Sequence, residues 1–287
     1  MERQLIIENK TFDQERALYN LKDSKVIGCV FAGEADGESV LKECRNVEVD
    51  NCAFSLRYPL WHADGYALKS SKMDDKTRAP IWYSKNGIID GCQINGIKCL
   101  RECDNTKILN SKIISEEFGW RCRGVCAENT FIESQYLFFE ASDVTLNNFS
   151  MKGKYSFQYV NGLTINNSML DTKDAFWHAK NVRVENSTVK GEYLGWFSEG
   201  LTLVNCHIIG TQPLCYCKDL KLINCTMEDT DLCFEYSEVE ADIIGNIVSV
   251  KNPKSGYVNA DSIGEVVSED SIFESNCRIT CKNNLRQ

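Results

Sequence analysis

A short segment returns every 19 residues through most of this chain, and no other feature so limits what it can fold into. NGLTINNSML (161–170), NVRVENSTV (181–189), GLTLVNCHI (200–208) and DLKLINCTM (219–227) all read turn residue, apolar, polar, apolar, any, Asn, small, any, apolar. With the residue after the asparagine as anchor, the series runs Lys10, Cys29, Cys52, Ser71, Cys92, Ser111, Thr130, Phe149, Ser168, Ser187, Cys206, Cys225. Every step from Cys92 onward is 19 residues, and the earlier steps are 19, 23, 19 and 21, which places insertions near 32–38 and 74–80. A fixed period of this length marks a solenoid whose units stack to bury a shared core.

The aligned columns carry physical meaning. Six residues before the anchor stand Asp23, Asn46, Gly65, Asn86, Asn105, Gly124, Asp143, Gly162, Asn181, Gly200 and Asp219, all of types that tolerate a left-handed turn. Alternate apolar columns follow, one of them Val26, Val49, Leu68, Ile89, Ile108, Leu146, Ile165, Val184, Leu203 and Leu222, and a period of two means a strand with one buried face. Leucine-rich repeats share part of this pattern, but here the return segment is a third strand-like run, as in DAFWHAK (174–180) and EYLGWFS (192–198). A left-handed hexapeptide helix requires multiples of six. The fold expected is therefore all-β, a single-domain right-handed parallel β-helix of about twelve 19-residue coils with three short strands per coil. Residues 1–9 are expected to cap one end, 10–244 to form the coils, and 245–287 to form a second cap or tail, since open strand edges invite aggregation.

Before each anchor lies an Asn column: Asn51, Asn110, Asn129, Asn148, Asn167, Asn186, Asn205 and Asn224. Such amides are expected to stack as a buried ladder that locks the register. Five cysteines occupy the anchor column, and Cys44, Cys103, Cys122 and Cys217 stand eight residues before it. Both columns otherwise hold small residues, so the thiols are read as inert packing. Cys215-Tyr216-Cys217 lacks the second pair or nearby histidine of a metal site.

The net charge is −9, which argues against nucleic acid and anionic membranes as partners. No apolar run is long enough for a signal peptide or a membrane span. With 15 cysteines and no leader, the expected setting is the cytoplasm, with reduced thiols. No metal and no cofactor are expected.

Trp61, Trp82, Trp120, Trp177 and Trp196 share one column, read as core filling or, more sharply, as a sugar-stacking face. The next column holds His62, Tyr83, Glu102, Arg121, Glu140, Tyr159, His178, Phe197, Tyr216 and Glu235 and must face outward, because unpaired charges are rarely buried. By period two, Leu60, Ile81, Leu100, Phe138, Phe157, Phe176 and Leu214 would share that outward face as an apolar strip suited to a homodimer. The binding candidates are Trp61, His62, Tyr83, Tyr159, Trp177 and His178, with carbohydrate as ligand. The catalytic candidates are Glu102 and Glu140, two coils apart with Arg121 between them, against the plainer reading of a charge ladder. His62 and His178 are too far apart to share a site, and His207 lies on another column. The first sheet offers only the ladder Asp50–Lys69–Asp90.

FDQERALY (12–19), LRYPLWH (56–62), KDAFWH (173–178), GEYLGWFSE (191–199), GTQPLCYCK (210–218) and FEYSEVEAD (234–242) resemble the bacterial domain-of-unknown-function family 3737 to about residue 265. The resemblance implies a pectin-lyase-like β-helix and brings no catalytic residue with it. A carbohydrate-binding or carbohydrate-processing role is one expectation, and a non-catalytic scaffold is the other.

Overall fold

A computed structural model describes residues 5–33 and 38–282. The expected insertion at 32–38 and the expected N-terminal cap thus fall partly outside the described residues. The chain forms two compact units, Met1–Thr145 and Leu146–Gln287. Both are parallel β-solenoids with coils of about 19 residues, without α-helix among the described residues. No helix of the described residues is long and apolar enough to cross a membrane.

In the first unit, the first side of the solenoid stacks Leu5–Glu8, Lys22–Ile27, Arg45–Asp50, Asp64–Lys69, Lys85–Asp90, Asp104–Leu109 and Arg123–Glu128, each parallel to the next. The second side stacks Val30–Phe31, Ala53–Phe54, Lys72–Met73, Gln93–Asn95 and Lys112–Ile114. The third stacks Leu60–Trp61, Ile81–Trp82, Cys99–Arg101 and Glu117–Trp120. Val26, Val49, Leu68, Ile89 and Ile108 are fully buried, as the alternation requires, and Phe31 and Phe54 stack inside with centroids 4.7 Å apart.

In the second unit, Asn161–Asn166, Lys180–Glu185, Glu199–Val204 and Leu220–Glu228 continue the first-side pattern in 19-residue register. The second side stacks Met169–Asp171, Thr188–Lys190 and His207–Ile209. The third side is made of turns here instead of strands. The turns total about 14, more than the twelve expected, because Ser255–Ala260 and Asn276–Cys281 stack in parallel beyond Glu238–Ile243.

Two corners of each coil between Asp23 and Asn224 are left-handed. The Asp/Asn/Gly column has φ between 47° and 77° throughout, from Asp23 to Asp219. The Asn column is left-handed as well, with φ near 50°, and its side chains are exposed. Asn205 Nδ2 donates to Asn186 Oδ1 at 3.0 Å and Asn129 to Asn110 at 3.4 Å, so these are links between exposed amides and not a buried ladder. What the corner requires of asparagine is its tolerance of positive φ.

The register is locked inside, by the anchor column. The Cys52 amide donates to Ser71 Oγ and the Cys92 amide to Ser111 Oγ, both at 3.0 Å; in the second unit the Ser168 amide donates to Ser187 Oγ at 3.0 Å. Each of these hydroxyls donates in turn to the carbonyl two residues back in its own coil, as Ser71 does to Lys69 at 2.6 Å. The column eight residues earlier repeats the device: the Ala63 amide donates to Ser84 Oγ at 3.0 Å and the Cys217 amide to Ser237 Oγ at 2.8 Å. Cysteine serves both columns because its sulfur fills the space and also accepts, as Cys122 Sγ does from the Cys103 amide at 3.4 Å. All 15 cysteines are free, and burial pushes the Cys52, Cys92 and Cys217 thiols up to about 11 and Cys44 to about 12. These four thiols stay protonated and unreactive at neutral pH.

The expected outward apolar strip is core. Leu60, Ile81, Leu100 and Phe138 in the first unit, and Phe157, Phe176 and Leu214 in the second, are each at most 2% exposed. Period two fails here because most of these residues are themselves left-handed, with φ of 57° at Leu100, 53° at Phe138 and 62° at Phe176. Two left-handed residues separated by one, such as Phe176 and His178, turn the first side chain inward and the second outward. The tryptophans between them are not core fillers. They lie half-buried on the outside, and Trp82, Trp120, Trp177 and Trp196 each donate an indole N–H to the carbonyl 16 residues on, at 2.7–3.1 Å.

Candidate functional site

The third side gathers the expected site residues into two groups, one per unit. In the first unit His62 stacks on Tyr83 at 5.2 Å, with the Trp61 ring 6.2 Å from each. Further along, Arg121 Nε donates to Glu140 Oε2 at 2.7 Å, and its Nη1 lies 3.9 Å from Glu102 Oε1. All three are exposed. This is a charge ladder worth a few tenths to about 1 kcal/mol per pair. A guanidinium seated between the carboxylates occupies the space a substrate and its water would need, so Glu102, Arg121 and Glu140 do not form an acid–base site. Beside them Arg101 lies between Trp82 and Trp120, 5.2 Å from each ring, with Glu117 3.7 Å from its Nη1.

In the second unit Tyr159, His178, Phe197 and Tyr216 form one file, with ring centroids 4.9, 5.0 and 4.8 Å apart and planes within 12° of parallel. Trp177 and Trp196 stack beside it at 5.5 Å. Tyr159 is 50% and Phe197 45% exposed. A file stacked face to face covers its ring faces and turns their edges to water. Sugar stacking on Trp177, His178 or Tyr159 needs a face, so this geometry disfavours the sugar platform expected from the sequence.

The first side of the first unit carries a second charge ladder. Lys69 lies in register with Asp50 and Asp90, yet its ammonium reaches Glu48 at 2.8 Å, and Glu48 also holds Lys25 at 3.1 Å. Hydrogen bonds from these two lysines hold the Glu48 carboxyl below the usual carboxylate range.

A cleft that the sequence did not reveal opens on the second side of the first unit, with a volume of about 420 Å³. Its low end is built from Val30, Ala32, Ala53 and Ser55, and its high end from Lys72, Gln93, Asn95, Lys112 and Ile114. Lys72, Gln93 and Lys112 are in direct register on three consecutive coils. Among the described residues neither lysine makes an ion pair. Asp74 is the one carboxylate among the lining residues, and it accepts from the Lys76 amide at 3.0 Å, which holds it to the turn of the 74–80 insertion. The available signal was a step in size, from Val30 and Ala53 to Lys72, Gln93 and Lys112, within one outward column.

Stacked parallel coils of about 19 residues with a left-handed pair of corners define a β-solenoid protein. By sequence the chain belongs to the family described as Protein of unknown function (DUF3737), which matches residues 5–280. Among solved structures it is similar to PfbA, a surface adhesin of Streptococcus pneumoniae, at 9% identity over 83% of this chain and 85% of that one, with a TM-score of 0.53. It is also similar to the A-module of the mannuronan C-5 epimerase AlgE6 of Azotobacter vinelandii, at 11% identity over 95% of this chain and 87% of that one, with a TM-score of 0.42. The first likeness is one of fold alone. No curated protein matches the sequence.

Proposed function

We propose that this protein binds carbohydrate without cleaving it and holds the ligand in the second-side cleft of its first unit. The observation that carries this reading is the file Lys72–Gln93–Lys112, continued along the same outward column by the smaller apolar Ala53 and Val30. Ammonium and amide groups repeating at the ~4.8 Å strand spacing offer one set of hydrogen-bonding groups per coil. An extended saccharide lying along the coils meets the same chemistry at each step, and Val30 and Ala53 receive its C–H faces. Pockets with an apolar floor and few placed polar groups are the usual form of small-ligand sites. Glycoside cleavage requires two carboxyl groups flanking the bond, and the cleft supplies one, held to its own turn.

A glycan array followed by calorimetry on the best binder tests this. Filling the cleft with Ala53→Trp, or removing its donors with Lys72→Ala, Gln93→Ala and Lys112→Ala together, is expected to weaken binding at least about tenfold, since each lost hydrogen bond to a polar ligand is worth roughly 1 kcal/mol. Glu102→Ala with Glu140→Ala is expected to leave binding unchanged. Undiminished binding after the cleft is filled, or shortened glycan products, would end this reading.

The exposed edges of Tyr159 and Phe197 favour a second reading, in which another copy of the chain docks on the second unit's aromatic file. Light scattering decides it. A dimer that Tyr159→Asp with Phe197→Asp dissociates supports the reading, and a monomer at every concentration removes it.

A further inference from the structure

On the second side of the second unit, His207 and Thr226 sit in register on consecutive coils, and Glu228 follows Thr226 by two residues on the same outward face. His207 Nδ1 lies 2.8 Å from Thr226 Oγ1, and His207 Nε2 lies 2.9 Å from Glu228 Oε2. In the neutral ring these contacts select one tautomer. A carboxylate only accepts, so the bond to Glu228 requires hydrogen on Nε2. In the neutral imidazole Nδ1 is then bare, and it accepts the Thr226 hydroxyl proton. A hydroxyl bonded to a base, itself oriented by a carboxylate, is the arrangement that activates an oxygen nucleophile.

We propose that Thr226 is an activated nucleophile that accepts acyl groups from carboxylic esters. Thr226 Oγ1 forms a bond to the ester carbonyl carbon while its proton passes to His207 Nδ1. Collapse of the tetrahedral species breaks the bond from that carbon to the alcohol oxygen, and the departing alkoxide takes the proton from Nδ1. The products are acyl-Thr226 and free alcohol. Water activated by the same ring then splits the acyl-threonine, which releases the carboxylic acid and restores the hydroxyl. The side chains are open to solvent, His207 38% and Glu228 60% exposed, and they sit on a flat sheet beside Met169 and Thr188. An ester carried on a bulky molecule can reach such a surface, where a deep pocket would exclude it. Glu228 touches the ring and not the ester, so its role is positioning.

The probe is p-nitrophenyl acetate, with the acetylated residue mapped by peptide mass spectrometry. Thr188, one coil before His207 in the same file, is the internal control. Thr226 is expected to acetylate about 100 times faster than Thr188, the lower end of the range for a general base. His207→Gln should bring Thr226 down to the rate of Thr188, and Thr226→Val should leave no label there. Glu228→Gln separates positioning from mere support. Its neutral amide can still accept from Nε2 but no longer carries the charge that favours hydrogen on Nε2 and supports the imidazolium formed as Thr226 attacks, although the fold is kept. Nitrogen NMR of His207 should then show a smaller fraction of the ring with Nδ1 bare, with Thr226 acetylation falling in the same proportion. Equal labelling of Thr226 and Thr188, or Thr226 labelling indifferent to His207→Gln, overturns the proposal.

Discussion

Gly87→Ala is expected to destabilise the first unit by about 1–3 kcal/mol, the usual cost of overpacking a filled core. A Cβ at Gly87 would stand 2.1 Å from Tyr66 Cζ and 2.3 Å from its hydroxyl oxygen. The column reads Val47, Tyr66, Gly87, Thr106, Val125 on successive coils, and the phenol ring of Tyr66 lies across the space that Gly87 leaves empty. The Tyr66 and Thr106 hydroxyls are both buried and meet at the head of the ring. Tyr66→Val should leave a void and cost about 3 kcal/mol or more. Combined with Gly87→Ala, it should lose less than the two single changes predict, with a coupling of about 1–3 kcal/mol. Urea unfolding of the four proteins in the cycle measures this. Simple additivity would mean that the ring does not depend on the missing side chain.

Phe176→Asp is expected to abolish cooperative folding of the second unit, whereas Phe197→Asp is expected to be tolerated. Phe176 is 1% exposed and stacks on Phe157 at 5.3 Å, so aspartate there buries a carboxyl without a partner, at a cost of several kcal/mol. Phe197 projects into water, and its replacement removes ring stacking worth about 0.5–1.5 kcal/mol. Thermal unfolding followed by circular dichroism compares them. Similar losses from both would restore the simple alternation in which both rings share one face.

That contrast shows what the sequence made legible. Coil length, the buried first-side columns and the left-handed Asp/Asn/Gly column from Asp23 to Asp219 followed from the 19-residue spacing, because those residue types have a physical reason to stand there. The third side did not follow. Leu100, Phe138, Phe176 and Leu214 adopt left-handed φ, a conformation that bulky residues rarely take and that no propensity announces. Counting by twos then reversed inside and outside, which sent the apolar strip to the surface and the tryptophans to the core. Glu102, Arg121 and Glu140 were placed together as expected, with Arg121 bonded to Glu140 at 2.7 Å. The cleft escaped notice because it depends on relative side-chain reach along one column and on the path of the 74–80 insertion. The partners of His207 were within reach of the alignment, since Thr226 lies one period on and Glu228 two residues beyond, but a lone histidine in a polar column gives no sign of what its neighbour one turn away will be.

The inner hydroxyls have an evolutionary corollary. The Ser168 amide is completed by a side chain from the following turn, so a length change that moves Ser187 out of its file strands that donor, whereas residues added at a corner away from the file leave the bond in place, as in the 23-residue step where the Cys29 amide still reaches Cys52 Sγ at 3.3 Å. Duplicating or excising one whole circuit, such as 169–187, leaves every donor with an acceptor. Lineages of this protein should therefore differ in length by whole turns or at corners such as those near 32–38 and 74–80, with the inner file kept in step.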